Sequence, residues 1–101
     1  MTNNITKYDE KEDVLVDDVI STGERSHLVV YNDDYNTFDW VIQCFMEVCN
    51  HTQEQSVQLS ILVHFKGKAT VKTGTFTELK PMKDGLIDRG LSAVIETLVE
   101  D

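Results

Sequence analysis

Basic residues, cysteines and long apolar runs are scarce in this sequence. Nine lysines and arginines stand against 18 aspartates and glutamates among 101 residues, which gives a formal net charge of −9 at pH 7. Such a charge repels a phosphate backbone or an anionic membrane, so we predict neither a nucleic-acid nor a membrane partner. No run approaches the ~20 apolar residues of a membrane helix, and no basic stretch followed by an apolar one opens the chain. We therefore expect a cytoplasmic protein with a single compact domain.

The sequence has only two cysteines, and their positions around a predicted helix do not allow a local disulfide. Cys44 and Cys49 lie five residues apart on a predicted helix, which separates them by about 140° around its axis. Both are expected to be buried thiols in a reducing compartment.

Motifs of the common enzymes and cofactor sites are also missing. The sequence has no HExxH, CxxC or GxSxG motif and no glycine-rich loop for a phosphate. Asp33 and Asp34 together with His64 form a minimal set for acid–base or metal chemistry, and the residues alone leave that interpretation open. The alternative is that two aspartates after a strand serve turn and helix-cap chemistry.

Residues 1–25 are predicted to form a flexible acidic N-terminal extension. They contain seven aspartates and glutamates against three lysines and arginines, a balance typical of solvated, unpacked segments. Alternatively, residues 14–20, which are mostly apolar, add an edge strand to the sheet. Ser21-Thr22-Gly23 indicates a break, so the core domain is expected to cover residues 26–101.

The first part of the core domain predicts a strand followed by a helix. The continuous apolar run at residues 28–31 is typical of a buried strand. Apolar residues then recur at helical spacing over residues 38–49. Asn36 or Thr37 is expected to cap this helix.

A second helix is predicted from its end signals. Thr52 and Gln55 form a capping box, in which each side chain can satisfy a free backbone donor. Gly67 is expected to end the helix in a left-handed conformation. The side of this helix that we expect to be buried holds Val57, Ile61, Leu62 and Phe65.

The start of the third helix is ambiguous in the sequence. Thr75 and Glu78 offer another capping box, whereas Pro81 disfavours a helix that begins so early. Either Thr77 is the cap or Pro81 opens the main helix. Gly90 ends the helix in both cases.

The order of these elements predicts the fold class. Residues 69–73 alternate as a half-exposed strand does, and residues 93–98 supply the last strand. The order is β-α-α-β-α-β, which predicts a small α+β sandwich. We expect a three-stranded antiparallel or mixed sheet with three helices on one face.

Asn32, Asp33 and Asp34 place three acceptor-rich side chains between the first strand and the first helix. An amide oxygen and two carboxylates accept hydrogen bonds, and ionised carboxylates donate none. The cluster therefore suits a cation, either a metal ion or an ammonium group carried on an apolar molecule.

Two segments of the sequence resemble the ClpS family. The first is Val29-Val30-Tyr31-Asn32-Asp33-Asp34-Tyr35-Asn36-Thr37-Phe38, which is followed by Val41-Ile42. The second is Val63-His64-Phe65-Lys66-Gly67-Lys68-Ala69, which is preceded by Gln55. ClpS proteins are adaptors of the N-end rule, which hand substrates to an AAA+ unfoldase of the Clp type. The resemblance covers approximately residues 26–96 and implies a ClpS-like fold. It also implies a protein that is not an enzyme and uses neither a metal nor a cofactor.

The resemblance implies a site for a free α-amino group and a large apolar first residue: Leu, Phe, Tyr or Trp. It assigns amine binding to Asn32, Asp33, Asp34 and His64, with Asp33 shaping the turn or adding negative potential. It assigns binding of the peptide backbone to Asn36 or Thr37. It assigns the side-chain pocket to Val30, Phe38, Val41, Ser60, Val63 and Leu91. Phe38 and Ser60 stand where the family usually has methionines, so the resemblance does not fix the rank order of first residues.

The chemistry of these residue types agrees with that role. An α-amino group has a pKa of about 7.7–8.0, so it is mostly charged at neutral pH and brings three donors. The side chains of Asn32, Asp34 and an unprotonated His64 can accept hydrogen bonds from them. The alternative for His64 is a packed histidine that bonds a backbone carbonyl.

The resemblance also implies partners. These are N-degron peptides and the N-terminal domain of a ClpA- or ClpC-type unfoldase, and the chain is expected to be a monomer. Glu78 and Lys83 would lie on the surface that meets the unfoldase, and residues 1–25 would engage it. Glu78 can instead be a helix cap. The alternative function is a small α+β regulatory or dimerisation domain without N-degron binding.

Overall fold

The computed structural model describes residues 25–97 and contains the predicted order of elements. The elements are β1 (Ser26–Tyr31), α1 (Phe38–Val48), α2 (Gln53–Lys66), β2 (Lys68–Gly74), α3 (Phe76–Asp88) and β3 (Ser92–Thr97). The prediction of an α+β fold is confirmed. The extension predicted at residues 1–25, apart from Arg25, and the alternative strand at residues 14–20 lie outside the described residues.

The three strands form one antiparallel sheet with β1 in the centre, in the order β2-β1-β3. Along β1, Val30 is paired with Ala69 of β2 and with Ala93 of β3. The register between β1 and β2 shifts by one residue after Leu28, so Val71 is the extra residue of a β-bulge. The three helices pack on one face of this sheet and enclose the core with it.

The predicted end signals of α1 and α2 are confirmed. The Thr37 side chain accepts a hydrogen bond from the backbone N–H of Trp40, so Thr37 rather than Asn36 caps α1. Thr52 and Gln55 form the complete capping box of α2. Gly67 ends α2 with φ of 90°, a left-handed conformation that glycine adopts without steric cost.

The start of α3 differs from both predicted alternatives. Thr75 caps the helix, and the capping box with Glu78 is complete, so Pro81 lies inside the helix. A proline there removes one backbone donor, but the cap supplies two hydrogen bonds and the helix buries Leu79 and Leu86 in the core. The helix ends as predicted at Gly90, with φ of 93°.

The prediction of the buried face of α2 is partly wrong. Leu62 is 42 % exposed and Phe65 is 77 % exposed, whereas Ser56, Ser60 and Val63 are buried. Only Gly67 separates α2 from β2, so the strand pairing fixes how the helix is rotated about its axis. Apolar residues are spread around this helix, and their spacing alone does not select the face.

The core lies between the sheet and the helices. Phe45 of α1 is fully buried at its centre, and the other members are Leu28, Val30, Cys44, Cys49, Val63, Val71, Leu79, Leu86, Leu91 and Ala93. Both cysteines are free and buried, as predicted. Burial raises the pKa of Cys49 to about 11, which keeps this thiol protonated and unreactive at neutral pH. No helix within residues 25–97 is long and apolar enough to cross a membrane.

Candidate functional site

The loop between β1 and α1 is anchored on the neighbouring strand. The backbone N–H of Asn32 donates to the carbonyl oxygen of Gly67 at 2.9 Å. Gly67 links α2 to β2, so this hydrogen bond fixes the start of the loop beside the end of α2. The side chain of Asn32 is exposed and its acceptor oxygen faces no assigned donor among the described residues.

Asp33 holds the turn together. Its carboxylate accepts hydrogen bonds at 2.8 Å from the backbone N–H groups of Tyr35 and Asn36 and from the side-chain amide of Asn36. Partial burial alone would raise the pKa of Asp33, but these hydrogen bonds stabilise the ionised form and lower its pKa below the ordinary value of 3.8. Because its oxygens already serve the turn, Asp33 shapes the site rather than offering a free acceptor.

Two side chains tie this region to the end of α3. The Asn36 amide nitrogen, which also donates to Asp33, donates to the carbonyl oxygen of Gly90 at 2.9 Å. The indole N–H of Trp40 donates to the carbonyl oxygen of Arg89 at 3.0 Å. These bonds hold the N-terminal turn of α1 against the residues that precede Leu91. Trp40 could not be predicted from the sequence, because no spacing rule links an exposed indole to the end of another helix.

A small cavity opens beside the loop. Its lining consists of Val30, Tyr31, Asn32, Asp33, Asn36, Val41, Val63 and Leu91, and its volume is about 20 Å³. Such a volume holds about one water molecule. The cavity brings together four of the residues predicted for a side-chain pocket and three of the polar residues predicted around it. Tyr31 also lines the cavity and was not among the predicted residues, although it directly precedes Asn32 in the sequence.

The other predicted site residues do not line this cavity. Asp34 and Thr37 are exposed, and Phe38 is 42 % exposed in the first turn of α1. Ser60 is buried in α2, one turn before Val63. His64 follows Val63 directly and is exposed, and its ring meets that of Phe65 edge-on with 4.8 Å between the centroids.

The arrangement combines an apolar hollow with acceptors at its rim. Val30, Val41, Val63 and Leu91 supply apolar surface, and Asn32, whose side chain carries an acceptor oxygen, lines the same cavity. Within residues 25–97 no group of three or more histidines, cysteines, aspartates or glutamates is placed to hold a metal ion. The chemistry of this rim suits a donor-rich group that carries an apolar side chain.

The two residues predicted to meet an unfoldase lie on α3. The Glu78 carboxylate accepts a hydrogen bond from the backbone N–H of Thr75 at 3.0 Å, so its role as a helix cap is confirmed. Lys83 is paired with Asp84 at 3.4 Å. Glu78 and Lys83 are five residues apart on α3, which separates them by about 140° around the helix axis.

Comparison with known proteins gives consistent similarities. Residues 21–95 match the family model described as ATP-dependent Clp protease adaptor protein ClpS. The adapter protein ClpS of Neisseria meningitidis serogroup A is 36% identical over 75 residues, which are 73% of this chain and 71% of that protein. The adapter protein ClpS of Escherichia coli O1:K1 is 27% identical over 89 residues, or 87% of this chain and 82% of that protein.

The fold is also similar to that of a solved structure. This is Agrobacterium tumefaciens ClpS2 bound to L-phenylalaninamide, which superposes with a TM-score of 0.64. The superposition covers 74% of this chain and 98% of that one at 20% sequence identity. Identity at this level supports the likeness of the fold alone.

Proposed function

The chain belongs to the ClpS family of ATP-dependent Clp protease adaptor proteins, and from that premise we propose that it binds the first residue of N-degron substrates. It recognises a free α-amino group together with a bulky apolar side chain, Leu, Phe, Tyr or Trp, and delivers the substrate to a Clp AAA+ unfoldase. It does this as an adaptor and not as an enzyme. The observation that carries the proposal is the cavity in which valines and a leucine adjoin the loop of Asn32 and Asp33.

The amine is held by Asn32, Asp34 and His64. A buried ammonium group has three donors, each of which needs an acceptor. Asp33 is engaged by Tyr35 and Asn36 and therefore contributes by positioning its neighbours and by its negative charge. Its exposed neighbour Asp34 supplies the carboxylate that faces the amine.

The first side chain enters the apolar hollow beside Val30, Val41, Val63 and Leu91. A volume of about 20 Å³ admits one water molecule but not a leucine side chain, so the pocket widens on binding. Phe38 precedes Val41 of the lining by one helical turn and is half-exposed, so its side chain has room to move, whereas Asn36 of the lining is held by its bond to the carbonyl oxygen of Gly90. Burying a Leu or Phe side chain contributes roughly 1.5–3 kcal/mol, so useful affinity needs the amine as well.

Asn36 and Thr37 have complementary capacities for the peptide backbone. Both amide hydrogens of Asn36 are used by Asp33 and Gly90, which leaves its side-chain oxygen as an acceptor for a peptide N–H. The Thr37 hydroxyl accepts from Trp40 but retains its own hydrogen for a peptide carbonyl.

The ligand of the Agrobacterium structure agrees with this proposal. L-Phenylalaninamide, to which that ClpS2 is bound, has a free α-amino group and a benzyl side chain. The fold that binds it is similar to that of the present chain, and the same two chemical features are what we propose this site reads.

Delivery requires a surface for the unfoldase. We infer that the N-terminal domain of a ClpA- or ClpC-type unfoldase binds this surface. Glu78 and Lys83 lie at the contact, and residues 1–25 form a second contact. The adaptor acts as a cytoplasmic monomer. The excess of acidic over basic residues in the chain attracts a basic partner surface at distances up to about 8–10 Å in physiological salt.

Titration with labelled peptides tests the proposal. Four peptides of one sequence begin with Leu, Phe, Ala or N-acetyl-Leu, and fluorescence anisotropy measures their dissociation constants. We expect binding of the Leu and Phe peptides, and weak or no binding of the Ala and acetylated peptides. Equal binding of all four, or undiminished binding of N-acetyl-Leu, contradicts N-degron recognition and favours a regulatory or dimerisation domain.

A further inference from the structure

The inner face of α2 carries two buried hydroxyl groups. Ser56 is fully buried and Ser60 is 2 % exposed. Neither hydroxyl oxygen has a hydrogen-bond partner among the described residues. A buried polar group without a partner destabilises the folded chain, so a group that reaches one of these hydroxyls from outside gains a hydrogen bond.

Ser60 lies outside the lining of the cavity, one helical turn from the residues of α2 that we assign to the pocket and to the amine. It precedes Val63, which lines the cavity, by three residues, and precedes His64 by four, so all three lie on one side of α2. Four residues of α-helix rise about 6 Å. For a first residue whose amine lies at His64 and whose side chain passes Val63 toward the start of α2, Ser60 is the next residue on this side of the helix. Ser56 lies one turn farther from the site.

We propose that Ser60 is a specificity-determining residue that favours tyrosine over phenylalanine as the first residue of the substrate. The proposal rests on the proposed function and deepens it. When the pocket widens for an aromatic ring, the Tyr hydroxyl reaches the Ser60 hydroxyl, and each group satisfies the other. Phe fills the same space but leaves Ser60 without a partner.

The chemistry predicts the size and the direction of the preference. One net hydrogen bond between neutral groups favours the Tyr peptide by about 3- to 10-fold in dissociation constant. Without the Ser60 hydroxyl, the Tyr hydroxyl is buried against apolar side chains and loses its bonds to water. Ser60→Ala therefore abolishes the preference or inverts it toward Phe.

The test compares the wild type, Ser60→Ala and Ser56→Ala in the full chain. Each is titrated with peptides that begin with Tyr, Phe and N-acetyl-Tyr. We expect the wild type and Ser56→Ala to bind the Tyr peptide 3- to 10-fold more tightly than the Phe peptide, and Ser60→Ala to lose that difference with little change for Phe. Ser56→Ala is the matched control because it removes the same group one turn away.

The outcomes separate this inference from the proposed function. If the Phe and Tyr peptides bind equally to the wild type while acetylation abolishes binding, Ser60 does not select tyrosine, and the proposed function stands. The same holds if Ser60→Ala keeps the wild-type ratio, which indicates that the hydroxyl bonds a carbonyl of its own helix. If the acetylated peptide binds as well as the free one, both the proposed function and this inference are wrong.

Discussion

Replacing Asp33 by alanine should destabilise the domain, whereas the same change at Asp34 should not. The Asp33 carboxylate accepts three hydrogen bonds of 2.8 Å, two from backbone N–H groups and one from the Asn36 side chain. A hydrogen bond to a charged acceptor contributes ~1.5–3 kcal/mol. Because Asp33 is only partly buried, water replaces part of what is lost, and we expect the free energy of unfolding to fall by about 2–3 kcal/mol.

The assay is thermal and urea unfolding of both variants beside the wild type. A loss of this size lowers the Tm by about 8–24 °C in a domain of this length. Asp34 is exposed and no hydrogen bond to its side chain is assigned among residues 25–97, so Asp34→Ala should unfold as the wild type does but bind N-degron peptides more weakly. Equal stability of Asp33→Ala and the wild type refutes the assignment of Asp33 to the turn.

The pH dependence gives an independent check on the same residue. The pKa of Asp33 is lowered in the folded chain, so its stabilising effect is complete above the ordinary value of 3.8 and is lost as the pH falls through the lower, folded value. The difference in unfolding free energy between the wild type and Asp33→Ala should therefore stay constant between about pH 5 and 7. It should shrink below pH 3.8. A difference that grows on acidification contradicts the sign of the shift.

Three further changes test other parts of the account. His64→Ala should weaken binding of a Leu peptide by about 1–3 kcal/mol, since one ammonium donor loses its acceptor, without lowering the Tm, because the imidazole is exposed; unchanged affinity removes His64 from the site. Pro81→Ala should raise the unfolding free energy by about 1–3 kcal/mol, because it restores a backbone donor inside α3; a neutral effect would fit a helix that begins at Pro81. Lys83→Glu should weaken co-precipitation of a ClpA- or ClpC-type N-terminal domain. Lys80→Glu is the control, because it removes the other lysine paired with Asp84, and it should not weaken co-precipitation. If both variants weaken it equally, Lys83 makes no specific contact with the unfoldase.

The order of elements was predictable because the end signals are local. Thr52, Gln55 and Gly67 act within one turn of helix, so their pattern alone fixes where α2 begins and ends. The same locality explains the error at α3. The prediction treats Pro81 as a stronger signal than the capping box before it. In the structure, Pro81 removes one backbone hydrogen bond, and the burial of Leu79 and Leu86 offsets that loss.

What could not be predicted depends on contacts between distant parts of the chain. The exposure of Leu62 and Phe65 follows from how β2 fixes the rotation of α2, which helical spacing does not encode. The bonds from Asn36 and Trp40 to the end of α3 join residues about fifty positions apart. Of the candidate site, the sequence predicted the apolar lining, the acceptor loop and a turn-shaping role for Asp33, but not which groups, Tyr35 and Asn36, its carboxylate binds.

The most direct test of the central claim is an NMR titration of the ¹⁵N-labelled chain. One peptide begins with Leu, and the other is its des-amino analogue, which keeps the side chain and lacks the ammonium group. We predict that the Leu peptide shifts the resonances of Asn32, Asp34 and His64 together with that of Val63, and that the analogue leaves them unchanged. If both peptides shift these resonances alike, or if the Leu peptide acts elsewhere on the chain, this cluster does not read a free amino terminus.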